Sequence, residues 1–429
     1  MSETLSRHTG SYYAASANPT PKRPALDGRQ VADVCVIGAG YTGISTALHL
    51  AEAGYKVIVL EAARVGWGAS GRNGGQIVNS YSRDMDVIEA RHGKEAARRI
   101  GAMAFEGGRI IRERIAKYNI QCDLKDGNVF AAFTQKQLDE MAAKKALWEA
   151  YGHTGLKLID KAGMKDIVQS DAYVGALLDN WGGHIHPLNL ALGEAAAFES
   201  LGGVIYEQSP VTAVIEGDKP SVKTAHGEVR ADFVVVAGNA YLGNLIPKLA
   251  EKTLPCGTQV VTTAPLDAKL ARALLPGNNC VEDCNFLLDY YRLTADNRLL
   301  YGGGTVYGAR DPGAIENLVR PKLEKTFPQL KGVKIDYSWT GNFSLTLTRL
   351  PQAGRIGKNI YYSQGCSGHG VTYTHLAGRL LSEAIRGQSE RFDAFASLPH
   401  YPFPGGRLFR VPMLTLGAWW YEMRDKMGV

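Results

Sequence analysis

Three glycines stand at Gly38, Gly40 and Gly43, and an acidic residue, Glu61, follows the first of them by twenty-three positions. Each glycine has its own reason. The first lets a chain turn sharply off a strand, the second lets backbone approach a pyrophosphate, and the third lets a helix lie close on a sheet. A helix that begins there turns free N–H groups and its positive dipole end toward the phosphates. Glu61 supplies a carboxylate that accepts both hydroxyls of an adenosine ribose. An acidic side chain at that place argues against a 2′-phosphate, and so against NADP. NAD and FAD stay open. A glycine-rich turn without a ligand explains the triplet but leaves Glu61 without a role.

The next segment separates the two. Val65-Gly-Trp-Gly68-Ala-Ser-Gly71-Arg-Asn-Gly74-Gly75-Gln76 runs straight on from the second strand. A nicotinamide dehydrogenase has little use for so much further phosphate-cradling backbone. An extended flavin needs a second set of donors, which Ser70, Arg72 and the amides of Gly74 and Gly75 would supply. A third element, Phe233 to Val236 followed by Ala237-Gly238-Asn239, is a buried strand ending in small residues that would let it pass beneath a bound dinucleotide. The fourth is Gly365-Cys-Ser-Gly368-His369-Gly370-Val371-Thr372 at the start of the last long helix. Amides there would stabilise negative charge that builds on the pyrimidine end of a reduced flavin. His369 is a candidate base, and equally a structural histidine.

These residues need elements to hold them. Asp33 to Ile37 is a short apolar run, Ile44 to Ala53 has apolar positions at helical spacing, and Lys56 to Leu60 is a second strand, so the region is one βαβ unit. Residues 84–118 and 135–150 read as solvent-facing helices, and Asn189 to Leu201 as a further helix closed by Gly202-Gly203. Gln259 to Gly304 is strand-rich, and Tyr361 to Gly365 leads into a helix from about Val371 to Arg386. The fold class expected is α/β (α+β overall), a Rossmann-like FAD-binding domain with an inserted antiparallel-sheet substrate domain. The expected division is an arm over 1–30, a discontinuous FAD domain over 31–90, 150–255 and 340–400, a substrate domain over 91–149 and 256–339, and a tail over 401–429.

Composition narrows the partners. The 429 residues are 45% apolar and 21% charged, ordinary values for a globular chain, while the 49 glycines exceed the usual share without a collagen-like period. Of the net charge of +6, the first thirty residues and residues 401–429 supply +2 each, and there is no basic stripe of the kind nucleic acid requires. The six cysteines form no CxxC pair and no zinc spacing, so no metal is expected. No secretory signal opens the chain, which predicts reduced thiols and a cytoplasmic setting. The uncharged stretch from Val411 to Tyr421 is too short to span a bilayer. It reads as a tail packed on its own protein or as a surface-lying segment flanked by basic residues.

Taken in order, GxGxxG, Glu61, the Gly66–Gln76 run, Gly182-Gly-His184-Ile-His186-Pro-Leu and Ser367-Gly-His-Gly-Val371 resemble the D-amino-acid-oxidase-like family of FAD-dependent amine oxidoreductases. His8-Thr-Gly-Ser-Tyr12-Tyr13-Ala-Ala-Ser, the Trp67 loop and Pro402-Phe-Pro-Gly-Gly406-Arg are similar to the branch of γ-glutamylputrescine and γ-glutamylpolyamine oxidoreductases. The resemblance implies oxidative deamination of a primary amine on a γ-glutamyl-capped polyamine, with oxygen or another electron acceptor. It places FAD contacts at Gly38, Gly40, Gly43, Glu61, Ser70, Arg72, Gly75, Gln76, Val211, Gly238, Gly368, Gly370 and Thr372. Tyr41, Thr42, Ala62, Arg64, Gly68, Ala69, Asn73, Gly74, Ala237, His369 and Val371 are expected to complete the cradle.

Sarcosine-oxidase relatives attach FAD through a cysteine and set a lysine near the flavin. Here Gly341 to Pro351 has no cysteine, and Leu299 or Leu300 falls at the lysine's place, so FAD is expected without a covalent bond. On the substrate side, Arg349 precedes Leu350-Pro351 where glycine-type relatives hold a carboxylate, and its planar fork suits a glutamyl carboxylate. Gln76, Tyr290 and Tyr301 are the remaining candidate substrate contacts, the tyrosines as an aromatic wall. Arg349 and His369 are the candidate catalytic residues.

Overall fold

A computed structural model describes residues 6–285, 287–308, 313–404 and 406–427. Two sheets organise the chain. The first holds β1 (Gly28–Ile37), β2 (Val57–Leu60), β7 (Val204–Tyr206), β8 (Ala213–Ile215), β9 (Ser221–Lys223), β10 (Gly227–Val236), β16 (Gln352–Ile356) and β17 (Ile360–Gln364). Its order is β16-β17-β10-β1-β2-β7, with β8 and β9 appended to β10. The central pairs β10/β1, β1/β2, β2/β7 and β10/β17 are parallel. Their residues Val34 to Ile37, Val57 to Leu60 and Val234 to Val236 are buried, as parallel strands covered on both faces must be.

Helices cover that sheet. We label α1 (Tyr41–Glu52), α2 (Glu106–Tyr118), α3 (Gln135–Ala150), α4 (Pro187–Ser200), α5 (Gly370–Ile385) and α6 (Gly406–Met427). α5 lies tight on α1, since a Cβ on Gly378 would meet the Ser45 side chain at 2.3 Å. A buried polar network fastens four of these helices together. Glu194 of α4 accepts from Arg114 of α2 at 2.9 Å and faces Nε2 of His375 of α5 at 3.1 Å, while Arg114 also donates to Ser45 of α1.

The second sheet is mostly antiparallel. It holds β3 (Gln76–Ile77), β4 (Lys125–Ala132), β5 (Leu156–Ile159), β6 (Gly175–His184), β11 (Thr253–Thr263), β12 (Cys280–Asp283), β13 (Tyr290–Leu293), β14 (Leu299–Tyr307) and β15 (Ile335–Thr346). The order is β15-β11-β14-β13-β12-β4-β6-β3, with β5 on β6. The expected division by sequence therefore shifts. Residues 156–184, assigned above to the FAD domain, supply β5 and β6 to this second sheet, because β6 pairs along its length with β4. The 340–346 stretch likewise belongs here, since β15 is hydrogen-bonded to β11 from Thr253 to Thr263.

The ends are tied down. Tyr13 of the arm is fully buried, packs edge-on against Trp339 and receives a hydrogen bond from Arg292. Tyr12 donates to Asp296 at 2.8 Å. In the tail, Val411 and Leu414 pack on Leu254, Cys256 and Leu345, and Arg410 donates to the carbonyls of Ala250 and Thr253. Gly405 of the Pro402–Arg407 motif lies outside the described residues. Among the described residues no helix is long and apolar enough to cross a membrane, and no group of three or more His, Cys, Asp or Glu could hold a metal ion.

Candidate active site

The first βαβ unit builds one end of the site. Gly38 turns off β1 with φ of +104°, a backbone that favours glycine. Gly40 is the extended N-cap of α1, and Ser70 Oγ reaches across to accept the Tyr41 N–H at 2.9 Å. Gly43 touches no cavity. A Cβ there would sit 1.8 Å from the Gly38 carbonyl oxygen, so its absence lets α1 rest directly on the turn. Glu61 is enclosed. Its two oxygens accept the Ala39 N–H at 2.7 Å and the Ala63 N–H at 2.8 Å, and burial raises its pKa against the pull of those amides.

From here a cavity of about 620 Å3 extends between the two sheets, a volume in the range of a bound organic ligand. Gly38, Gly40, Tyr41, Thr42, Glu61, Ala62, Gly68, Ala69, Ser70, Asn73, Gly74, Gln76, Val211, Ala237, Gly238, Gly368, His369, Gly370 and Val371 line it, and so do Tyr290 and Arg349. His369 is half-buried beside the start of α5. Desolvation, reinforced by Lys144, lowers its pKa to about 4, and its Nδ1 has no hydrogen-bond partner among the described residues. At neutral pH it is an uncharged imidazole. Arg349 stands in the turn after β15 with φ of +63° and lies against Tyr307.

Other candidates lie off the wall, each for a visible reason. Arg64 faces Glu207 at 3.5 Å. Arg72 is buried, donates to the Trp67 carbonyl and stacks on the Trp67 ring at 4.1 Å, so it braces the loop rather than lining the cavity. Gly75, with φ of +80°, backs onto the Ile185 carbonyl, and Thr372 donates to the Val78 carbonyl. Tyr301 is stacked on Tyr291 in the core of the second sheet, its hydroxyl 3.0 Å from Thr326. Leu299 and Leu300 are fully buried in hydrophobic clusters and face no cavity. Only the far end of β14, Thr305 and Tyr307, reaches it.

Several lining residues carried no motif. Tyr241 lies against Gly68 and edge-on to Trp67. Thr258, Leu287, Leu288, Phe343 and the thiol Cys256 complete the wall on the side of the second sheet. Burial pushes Cys256 up to about 12, so that thiol stays protonated. Glu282 of β12 also lines the cavity, and burial raises its pKa to about 7.

Comparison with known proteins decides the family. Residues 33–384 match the sequence profile described as FAD dependent oxidoreductase (DAO). The chain belongs to this family. It is 62% identical to the γ-glutamylputrescine oxidoreductase of Escherichia coli K12 over 99% of this chain and 100% of that one. It is 42% identical to a probable oxidoreductase OrdL of Haemophilus influenzae over 98% of both chains. Among solved structures, glycine oxidase from Geobacillus kaustophilus superposes with a TM-score of 0.69 at 21% identity, covering 84% of this chain and 95% of that one. The L-proline dehydrogenase of P. horikoshii does so with a TM-score of 0.70 at 23% identity, covering 85% and 96%. The cofactor of the family is FAD, and this chain is an FAD-dependent oxidoreductase.

The residues fit that cofactor. Gly38 and Gly40 leave backbone bare where a Cβ would crowd Ala237 and Ser70 at 3.0 Å. Glu61 retains lone pairs for ribose hydroxyls beyond the two amides it already accepts. The cavity continues past both toward Gly74, Gln76 and the start of α5.

Proposed function

We propose that this chain oxidatively deaminates the primary amine of a γ-glutamylated polyamine such as γ-glutamylputrescine, as a step of polyamine catabolism. The likeness to the Escherichia coli enzyme over the full length carries this reading. When bound, FAD supplies a two-electron acceptor for the amine's α C–H. The substrate carbon loses a C–H and the nitrogen an N–H, water replaces the nitrogen, and the products are the γ-glutamylated aminoaldehyde, ammonia and reduced FAD. Reoxidation by oxygen yields hydrogen peroxide; another acceptor yields none.

Several residues support the assignment. Gly38, Gly40, Glu61, Ser70 and the 68–76 loop hold FAD, without a covalent bond since residues 341–351 contain no cysteine. Tyr290 and Leu287 give the methylene chain an apolar wall. Arg349 holds the glutamyl carboxylate with its planar fork. His369, neutral at physiological pH, closes the site at the start of α5.

Anaerobic addition of γ-glutamylputrescine to the purified yellow protein tests this. Bleaching of the oxidised flavin spectrum is expected, with much weaker bleaching by glycine, sarcosine or D-amino acids. Bleaching by those small amino acids alone would make the chain an amino-acid oxidase. An unchanged spectrum with all of them would make it a non-catalytic flavin protein. Peroxide formed on admitting air identifies oxygen as acceptor.

A further inference from the structure

One group on the cavity wall has no assigned task. Glu282 lies on β12 in the middle of the second sheet, 8% exposed, with its side chain on the cavity. Its one hydrogen bond among the described residues is a long one, 3.5 Å from Asn128 Nδ2, and no ion pair to it is formed there. The cation that acts on it, Lys144 of α3, is bonded to Asp84 at 3.2 Å. Two carboxylates thus surround one ammonium. A buried carboxylate without a counter-ion is costly unless a ligand supplies the positive charge.

Its place in the sheet says which ligand charge. Glu282 pairs with Tyr290 across β12/β13, and Tyr290 packs against Gly74 of the loop that holds the cofactor. Tyr290 in turn pairs with Gly302 of β14, and Tyr307, five residues along that strand, lies against Arg349. Two strand spacings across and five residues along place the Glu282 and Tyr307 backbones roughly 19 Å apart. Of the charged groups on the cavity wall, Glu61, Arg83, Glu282 and Arg349, the carboxylate of Glu282 thus stands beside the cofactor loop and the guanidinium of Arg349 well along the sheet from it. A γ-glutamylated diaminobutane presents its carboxylate and its terminal amine about ten bonds apart, roughly 12 Å when extended. The side chains of Glu282, Tyr307 and Arg349 span the remainder.

We propose that Glu282 receives the terminal ammonium of the substrate, takes its proton, and holds the resulting neutral amine for oxidation. The inference rests on the function proposed above. In the step an N–H bond of the ammonium breaks and an O–H bond of the carboxylic acid forms; no electrons change owner. The groups facing Glu282 are Lys144 from α3, Cys280 on its own strand, Cys284 just past the strand's end, Asn128 from β4 and Tyr290 from β13. Lys144 pulls its pKa down and burial pushes it up, with burial prevailing, so the carboxylate titrates near neutrality. A general base is most effective when its pKa lies close to the working pH.

Glu282→Gln tests this while preserving shape. Flavin absorbance and melting temperature establish that the variant is a folded holoenzyme. Two ligands are compared, γ-glutamylputrescine and γ-glutamyl-n-butylamine, which lacks only the terminal amine. For γ-glutamylputrescine, the rate of anaerobic flavin reduction over Kd falls about 100- to 10,000-fold in the variant, and its rise with pH across neutrality disappears, while Kd for the butyl ligand moves less than about threefold. A wild-type rate, a retained pH rise, or an equal loss on both ligands would overturn the role given to Glu282. If another amine bleaches the wild-type flavin and γ-glutamylputrescine does not, the substrate reading has failed. The same comparison, made with that amine and its deaminated analogue, then decides Glu282. If no amine bleaches it, both fall.

Discussion

Replacing Glu61 by glutamine separates what this carboxylate does for the protein from what it does for FAD. In the free protein its two oxygens each accept one backbone N–H, from Ala39 and Ala63. An amide has one oxygen, so one of those N–H groups faces an NH2 and loses its acceptor, at about 1–3 kcal/mol. That cost falls on the folded chain with or without cofactor. The second cost appears only when FAD binds. Hydrogen bonds to a charged acceptor contribute about 1 kcal/mol more than neutral ones, so two ribose hydroxyls lose about 2–3 kcal/mol together. By the usual conversion this weakens FAD binding about 30- to 150-fold. The melting temperature of the apoprotein reads the first cost, and fluorescence of FAD released on dilution reads the second. Burial raises the Glu61 pKa, whereas hydroxyl donors favour its charged form. Wild-type affinity for FAD therefore falls as pH drops into the range where the carboxyl protonates, and the glutamine variant lacks that dependence. A folded glutamine variant whose FAD affinity stays within about threefold of wild type would refute the reasoning, since even one lost charged contact exceeds that.

The Gly43→Ala methyl would meet the Gly38 carbonyl at 1.8 Å, with backbone on both sides and no flexible tip to yield. Soluble yield and flavin content should both collapse, and an isolable yellow variant would contradict the packing. Tyr301→Phe removes a hydroxyl bonded to Thr326 outside the cavity; stability should fall by about 1 kcal/mol, with steady-state amine oxidation unchanged. Glu194→Leu leaves Arg114 charged in the core, and breaking a buried pair this way costs about 3–5 kcal/mol by urea unfolding. His375 and Arg114 hold the Glu194 pKa at about 2 against its burial. Its contribution is therefore fully present above the ordinary carboxylate pKa and is lost as pH falls toward 2, a slope that the leucine variant should lack.

The parallel half of the fold was legible because its rules are local. A strand buried on both faces reads as an apolar run, and the glycines at 38, 40 and 43, gathered within six residues, each answer to one steric demand. The antiparallel half was legible over Gln259 to Gly304, where strands were expected, but not at β6, which carries Asn180, Gly182 and Gly183 in its second half and owes its strand state to pairing with β4, some fifty residues earlier. Arg64 and Arg72 show the same limit from the other side. Both sit among phosphate-cradling residues in the sequence, yet Arg64 turns to Glu207, far along the chain, and Arg72 to the ring of Trp67.

The same contrast explains which part of the site stayed hidden. The cofactor end is made of backbone, so its demand for missing side chains leaves a mark in composition. The substrate end is made of side chains contributed one or two at a time by β11, β12, β13 and β14 and by β15 and the turn after it, and so few residues on a strand carry little spacing to read. Glu282 sits next to Asp283 and three residues before Asn285, which together look like the polar end of a strand entering a turn. Only the pairing of Glu282 with Tyr290, and of Tyr290 with Gly302, sets its carboxylate on the same wall as Thr305 and Tyr307. A charge that looks solvated along the chain is thereby enclosed beside the cofactor loop, where its desolvation gives it a reason to meet a cation.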